Sequence, residues 1–273
     1  MAFADLHLHT VFSDGTYTPG ELIRKAAEKK LSAIAVVDHD TVLGIKPSIE
    51  AGRHWGVEVL AGIELSTEYE NKELHILGYL IDYESETLLE KLDFLKSCRI
   101  ERVYKITNKL KELGIDLAAE EVFELAKGGV PGRLHIARAM VDKGLVRSTF
   151  EAFKKYIGDN CPAYVAGFKL SPSEGIKLIK GCKGIPVLAH PYSIKQDELI
   201  PKLVECGLMG IEVYYPEHTQ SMVNFYLRLA QEYNLLITGG SDCHGLAKPD
   251  IKIGLAKIPY ELVEKLKQAK NKL

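Results

Sequence analysis

Six of the nine histidines in this 273-residue chain fall at or near the ends of short apolar runs, and three carboxylates fall with them. Asp5-Leu6-His7-Leu8-His9-Thr10 comes first. Alternate side chains of a β-strand share a face, so His7 and His9 are expected on one face and Leu6 and Leu8 on the other. Asp14 follows in Ser13-Asp14-Gly15, which also has the composition of a turn. Asp38-His39-Asp40, Gly62-Ile63-Glu64, Glu73-Leu74-His75, Ala189-His190-Pro191 and Ser241-Asp242-Cys243-His244 mark the later runs. Neutral imidazole and carboxylate together suit divalent zinc, manganese or iron, and no thiolate is required. His7, His9, Asp14, His39, Glu64, His75, His190, Asp242 and His244 are more ligands than one ion uses. Two or three ions are expected, bridged by a carboxylate such as Glu64. Cys243 should point away from its neighbours Asp242 and His244, with no direct role.

The elements that must position these groups alternate in type. Strands are expected at residues 3–9, 33–37, 57–63, 73–80, 185–189, 210–214 and 235–238, mostly apolar throughout, as parallel strands buried on both faces are. Helices are expected between them. Thr18-Pro19-Gly20-Glu21 and Ser171-Pro172-Ser173-Glu174 are capping boxes with proline at the first helical position. Further helices fit residues 195–206, 221–233 and 259–272. Repeated βα units imply an α/β fold with a parallel sheet, closed as a barrel or doubly wound. No G-x-G-x-x-G follows the first strand, which disfavours a dinucleotide-binding fold. Residues 85–165 break the alternation: Leu88, Leu92, Leu95, Val103, Ile106, Leu110 and Leu113 recur at near-helical spacing. They read as a helical insertion covering the mouth of a domain built from 1–84 and 166–273.

Composition excludes other classes. Hydrophobic residues make up 46%, charged residues 26%, and the net charge is −2. No global basic field exists to hold duplex DNA. The five cysteines form no C-x-x-C pair and are expected as reduced thiols in a cytoplasmic protein. No run approaches the ~20 apolar residues of a membrane span, and no leader is visible.

Within the insertion, Gly128, Gly129, Pro131 and Gly132 precede Arg133-Leu134-His135 and Arg138. A helix start with free N–H groups favours an anion, and arginine binds phosphate in a bidentate manner; the arginines also fit a solvated helix face. Asp38 and Asp40 are candidates for orienting histidines. Glu212 and Tyr214 end a strand and are expected only to line the mouth. His218 follows them, at a surface position or within reach of substrate. His54 and Trp55 close a helix and read as structural.

As an ordered set, these motifs resemble the PHP (polymerase and histidinol phosphatase) family of metal-dependent phosphoesterases, and within it the nucleotide phosphatase and 5′-3′ exoribonuclease branch. The resemblance implies a distorted (β/α)7 TIM-like barrel and a trinuclear site. By family pattern His7, His9, Glu64 and Asp242 hold one ion; Glu64, His75 and His190 the second; Asp14, His39 and His244 the third. Gly132-Arg133-Leu134-His135 resembles the branch's phosphate-contacting segment, which implies that Arg133 and His135 act on substrate, with Arg138 and His218 as further binding candidates. The activity implied is hydrolysis of a nucleotide phosphate monoester by a metal-bridging hydroxide, on AMP, a 3′,5′-nucleotide bisphosphate or the 5′ end of a short single-stranded RNA. Histidinol-phosphate phosphatase is the alternative with the same ligands. A metal-dependent amidohydrolase would not need Asp14, His39 and an insertion arginine together, and a non-catalytic RNA-binding barrel would not need all nine ligands.

Overall fold

The computed structural model describes residues 2–70, 72–127 and 129–273. Strands β1 (Phe3–Leu8), β2 (Ala33–Val36), β3 (Glu58–Tyr69), β4 (Lys72–Tyr79), β5 (Ile185–Leu188), β6 (Gly210–Tyr214), β7 (Leu236–Gly239) and the short β8 (Ile258–Pro259) form one sheet in the order β7-β6-β5-β4-β3-β2-β1-β8. A lone parallel bridge from Leu8 to Cys243, with His9 N–H donating to the Cys243 carbonyl at 3.2 Å, nearly closes the sheet into a barrel. Gly240 permits this approach: a Cβ there would come within 2.3 Å of the His7 backbone nitrogen.

The sheet is not all parallel. β4 runs antiparallel to both β3 and β5. Only residues 70–71 separate β3 from β4, far too few for the crossover a parallel pair needs. β3 also extends to Tyr69, well past the expected end at residue 63. The beginning of β4, rather than its end, therefore lies at the mouth. The last turn of the barrel departs too: Pro259 belongs to β8 instead of opening a helix, and α10 spans Glu261–Lys270. The eighth strand is the addition to the seven expected.

β1 departs from strict alternation. Its register with β2 slips between Asp5 and Leu8, as an extra residue in a bulge would cause. Leu6 consequently packs with Ala33, Ala35, Leu77 and Val187, whereas Leu8 packs with Leu22, Ile34 and Val36 under α1. The bulge separates the two leucines and leaves His7 and His9 on one side.

Helices α1 (Pro19–Glu28) and α7 (Pro172–Gly181) start at the expected caps, where Thr18 and Ser171 accept from the N–H groups of Glu21 and Glu174. α2 (Ile45–Trp55) ends at the left-handed Gly56. The expected helix at 195–206 is a 3-10 turn at Asp197–Leu199 followed by α8 (Ile200–Glu205), and α9 spans Gln220–Glu232. Among the described residues, 85–165 carry α3 (Glu86–Glu112), α4 (Ala119–Ala126), α5 (Arg133–Asp142) and α6 (Thr149–Ala152), which continues into a π-turn. α3 is ~40 Å long at 1.5 Å per residue. Its first half packs Leu88, Leu92 and Leu95 against Ile63 and Leu65, and its second half packs Val103, Ile106 and Leu110 with Val122, Ile136 and Met140. One rigid element thus spans both cores. Gly128 of the expected anion-binding turn lies outside the described residues.

Candidate active site

Six strands or the loops after them deliver side chains to one buried cluster. Glu64 lies at its centre. His7 and His9, from β1 and its end, place Nε2 3.1 and 3.2 Å from Glu64 Oε2. The same two atoms lie 3.5 and 3.1 Å from Asp242 Oδ1. Glu64 pairs with Leu77 in the β3–β4 register, so His75, two residues along, is its diagonal neighbour on the same face. His75 Nδ1 lies 2.8 Å from Glu64 Oε1, and His190 Nε2 at the end of β5 reaches the same oxygen at 3.2 Å. His244 Nε2 is 3.1 Å from Asp14 Oδ1. Candidate ligand atoms within 4.8 Å of one another form three groups: His7, His9, Glu64 and Asp242; His9, Asp14, His39 and His244; and His39, Glu64 and His75. His39 stands between the last two groups, its Nδ1 3.4 Å from Glu64 Oε2.

The backbone is bent to achieve this. Asp40, His190 and Asp242 have φ of 50°, 26° and 54°. Each such non-glycine residue costs on the order of 1–3 kcal/mol, which the surrounding structure must offset. The kink at Asp242 turns its carboxylate and the His244 ring toward the barrel. Cys243 between them is buried facing the core beside Leu22 and Ile34.

A shell of hydrogen bonds fixes the cluster, and part of it differs from expectation. Glu212, expected only to line the mouth, is fully buried: Oε1 meets His7 Nδ1 at 2.9 Å and Oε2 accepts from His190 N–H at 2.8 Å. Asp38, expected to orient a histidine, instead accepts from the Thr10 N–H (2.7 Å), the Thr10 hydroxyl (2.6 Å) and the Ser13 hydroxyl (2.6 Å), which sets the loop after β1. Asp40 accepts from Ser66 N–H at 3.0 Å and binds the Arg99 guanidinium. Asp5 ties β1 to the last loops by accepting from Ser241 and Gly254. Asp242 Oδ2 accepts from the Tyr215 hydroxyl and the Lys248 ammonium, each at 3.0 Å.

A cavity of about 230 Å³ opens over His39, His75, Asp14 and His244. Its far wall is cationic: Arg99 and Arg102 from α3, Arg133 from the start of α5, and Lys169. Glu73, two residues before His75 and on the same face, joins the two sides. It meets His75 Nε2 at 3.0 Å, Arg133 Nη2 at 3.0 Å and Lys169 Nζ at 2.5 Å. Arg133 also donates to Asp159 at 2.7 Å. The Gly132 N–H donates to His135 Nδ1 at 3.1 Å, so the neutral ring carries its proton on Nε2. His135 is buried behind the cavity wall and does not line it, nor does Arg138, which lies near it on α5. His218 does not line it either: its Nδ1 donates to the Val213 carbonyl at 2.8 Å, and its ring sits among Tyr192, Tyr215 and Tyr226. His54 and Trp55 end α2 as expected.

The sequence reading did not single out Glu73, Arg99, Arg102, Lys169, Tyr215 or Lys248. The spacing of Glu73 from His75 is a usable signal, since i and i+2 share a strand face. Tyr215 and Lys248 follow the strand ends that carry Glu212 and Asp242, whereas Arg99, Arg102 and Lys169 arrive from distant segments.

The electrostatics are those of mutually compensating groups. Burial opposes protonation of His7, yet Glu212, Glu64 and Asp242 outweigh it and push its pKa well above the ordinary value. Against the same burial, Asp242 and Glu64 raise His9 to about 9, and Glu64 and Glu73 raise His75 to about 10. Burial would raise Asp14, Glu64 and Asp242, but the facing imidazoles, with Lys248 at Asp242, hold all three well below the carboxylate range. His39 drops to about 3 and His135 to about 4, both chiefly through burial.

Divalent cations fit this donor set. His9 Nε2, Asp14 Oδ1 and His39 Nδ1 are buried without a hydrogen-bond partner, in a protein where such atoms are few. Imidazole nitrogens and carboxylate oxygens crowded together are what a divalent cation satisfies, releasing the proton that His9 carries in its absence.

The chain is similar to proteins of known class. Residues 5–160 match the PHP domain model. A 5′-3′ exoribonuclease of Haemophilus influenzae is 32% identical over 88% of this chain and 89% of its own. A 3′,5′-nucleoside bisphosphate phosphatase of Chromobacterium violaceum is 30% identical over 89% and 88%. The crystal structure of a protein assigned as a metal-dependent phosphoesterase from Bifidobacterium adolescentis superposes with a TM-score of 0.90 at 29% identity, over 96% of this chain and 94% of that one. With its barrel, its ordered ligand motifs and these likenesses together, the chain belongs to the PHP family.

Proposed function

We propose that this PHP-family enzyme is a metal-dependent phosphoesterase that removes phosphate from nucleotides: a 3′,5′-bisphosphate, a mononucleotide, or the 5′ end of a short single-stranded RNA. The observation that carries the reading is the confrontation across one small cavity of a metal-ligand cluster centred on Glu64 with a wall of three arginines and a lysine. His7, His9, Glu64 and Asp242 would hold one divalent ion; Asp14, His39 and His244 a second; Glu64, His75 and His190 a third. Manganese, zinc and iron suit these ligands.

Bound, such ions polarise phosphoryl oxygens and make a nucleophile available at neutral pH. The chain's own residues do the rest. Arg133 exchanges Glu73 and Asp159 for substrate oxygens, and its planar fork matches a phosphoryl group. Arg102 and Lys169 add positive charge where negative charge spreads in an in-line displacement. His135, neutral at pH 7 and buried just behind the cavity wall, orders the start of α5 by accepting the Gly132 N–H and so positions Arg133 toward substrate. Lys248 steadies Asp242. We assign His218 an indirect part, through Tyr215 and its hydrogen bond to Asp242, and Arg138 a long-range electrostatic one. No side chain serves as nucleophile.

A cavity of about 230 Å³ suits one phosphorylated end. The five cysteines are unpaired, which suits the cytoplasm. Among the described residues no helix is long and apolar enough to cross a membrane.

The test is phosphate release from AMP, adenosine 3′,5′-bisphosphate, a 5′-phosphorylated short RNA, histidinol phosphate and a sugar phosphate, with bound metals quantified in the same sample. Preference for the nucleotides or RNA, with two or three metals per chain, supports the reading. Preference for histidinol phosphate selects the alternative with the same ligands. No release from metal-loaded protein overturns it.

A further inference from the structure

The cavity has a continuation along α3. Gly167 lies against Arg102, where a Cβ would come within 3.0 Å of the arginine Cδ. The next residue, Phe168, lines the cavity and meets Phe94 edge to face, with centroids 5.0 Å apart and planes at 83°. Phe94 and Leu170 border an open groove that also holds Lys91, Lys177, Glu90 and Glu174. Both phenylalanines are 48% exposed. The Lys91 ammonium stands 5.3 Å from the Phe94 centroid and 5.5 Å from that of Phe168.

Order along the helix matters. At 1.5 Å per residue, Phe94 lies roughly 12 Å from Arg102 along α3, and Lys91 lies about 4.5 Å beyond it. Cation, aromatic pair and cation follow one another from the cavity outward. Arg102 itself has a spare donor: Nε is used on the Val165 carbonyl, while Nη2 is buried without a partner.

We propose that Phe168 and Phe94 form a stacking platform for the bases of a single-stranded oligonucleotide whose terminal phosphate sits among Arg102, Arg133 and Lys169. The proposal rests on the phosphoesterase reading and narrows it from mononucleotides to strands. Alternating basic and aromatic groups are what an unpaired strand requires, since each base offers a π-face and each link a phosphate. The cavity accommodates the terminal phosphate and first nucleoside, the rings stand at its rim, and Lys91 meets the chain beyond it. Paired bases could not present their faces to these rings.

Phe94→Ala, Phe168→Ala and Phe94→Trp would be compared on a 5′-phosphorylated RNA trinucleotide and on p-nitrophenyl phosphate, which has no base to stack. Each alanine variant should lower the ratio of kcat/KM for trinucleotide over p-nitrophenyl phosphate at least about tenfold, and Phe94→Trp should restore it. An unchanged ratio overturns the platform and leaves the phosphoesterase reading standing. Anisotropy of a 3′-fluorescein trinucleotide on EDTA-treated protein gives a readout free of turnover. Weaker binding by the alanine variants, with no hydrolysis of any ester by the wild type, would keep the platform and remove the phosphoesterase reading. Sedimentation showing that Phe94→Ala dissociates a dimer would assign the rings to a contact between copies and overturn the proposal.

Discussion

The two walls of the cavity are built on opposite principles. On the barrel side, His7, His9, Glu64 and Asp242 are buried and held by Glu212, Tyr215 and Lys248, while His9 Nε2, with Asp14 Oδ1 and His39 Nδ1 beside it, has no hydrogen-bond partner. On the helical side, Arg99 and Arg133 are already matched by carboxylates: Asp40 for the first, Glu73 and Asp159 for the second. The first wall leaves several ring and carboxylate atoms unpartnered, as a cation site would; in the second, Arg99 and Arg133 have carboxylate partners and Arg102 Nη2 is open. A permanent metal centre and an exchangeable substrate site call for this difference. Glu73 belongs to both walls, since it binds His75 with one oxygen and Arg133 and Lys169 with the other.

Removing the hub should separate the walls most sharply. Glu64→Ala should lose activity by at least about 10³-fold, the scale seen when one member of a concerted unit is deleted, and metal content should fall with it. Metal analysis showing full occupancy would refute the bridging role. Arg133→Ala should instead retain its metals and lose about 10²–10³-fold in kcat/KM, as removal of a donor to developing charge does. Unchanged kinetics would take Arg133 out of the substrate site.

The pH dependence tests the barrel wall alone. His7, His9 and His75 have raised pKa values in the metal-free protein, so an entering ion displaces protons. Manganese affinity should rise by about tenfold per pH unit for each proton released as pH climbs from 6.5 toward 9, measured by calorimetry in two buffers. Stability of metal-free protein follows the same groups. A raised histidine stabilises the fold fully below its unfolded pKa of about 6.5, and that contribution is lost as pH rises through about 9 for His9 and about 10 for His75. The depressed carboxylates Asp14, Glu64 and Asp242 act at the other end, where their stabilisation is lost on acidification below the ordinary carboxylate range. The melting temperature in EDTA should therefore fall between pH 7 and 9.5, whereas metal-loaded protein should hold steady; parallel curves would contradict this account.

Smaller effects sharpen the boundary. Glu73→Gln should weaken metal affinity by about 10–100-fold, because the carboxylate orients His75, and should also raise KM by loosening Arg133 and Lys169. A change in only one of the two would show that Glu73 serves one wall. His218→Ala, which reaches the barrel wall only through Tyr215, should change kcat/KM by no more than about twofold; a loss comparable to that of Arg133→Ala would return it to the binding site.

Much of the site was legible because its residues carry their chemistry locally. His-x-His on a strand, Asp-His-Asp after another and Asp-Cys-His after a third each suggest a ligand at a strand end, and the structure brings them together. β4 was less legible, because periodicity reports a strand without its direction. Only the two residues between Tyr69 and Lys72 encode the reversal. The β1 bulge was likewise hidden, since Leu6 and Leu8 look equivalent until the register with β2 is known.

By itself, the sequence determined the ligand types, the helix caps at Thr18 and Ser171, and the long apolar spacing of α3, all of which depend on neighbours within a few residues. Only the tertiary structure decided which carboxylates face which cations. Glu73 finds Lys169 across 96 positions, Glu212 finds His7 across 205, and Asp5 finds Ser241 across 236. Such pairs form because burial removes water as a competing partner, and no local pattern records which groups burial will bring together.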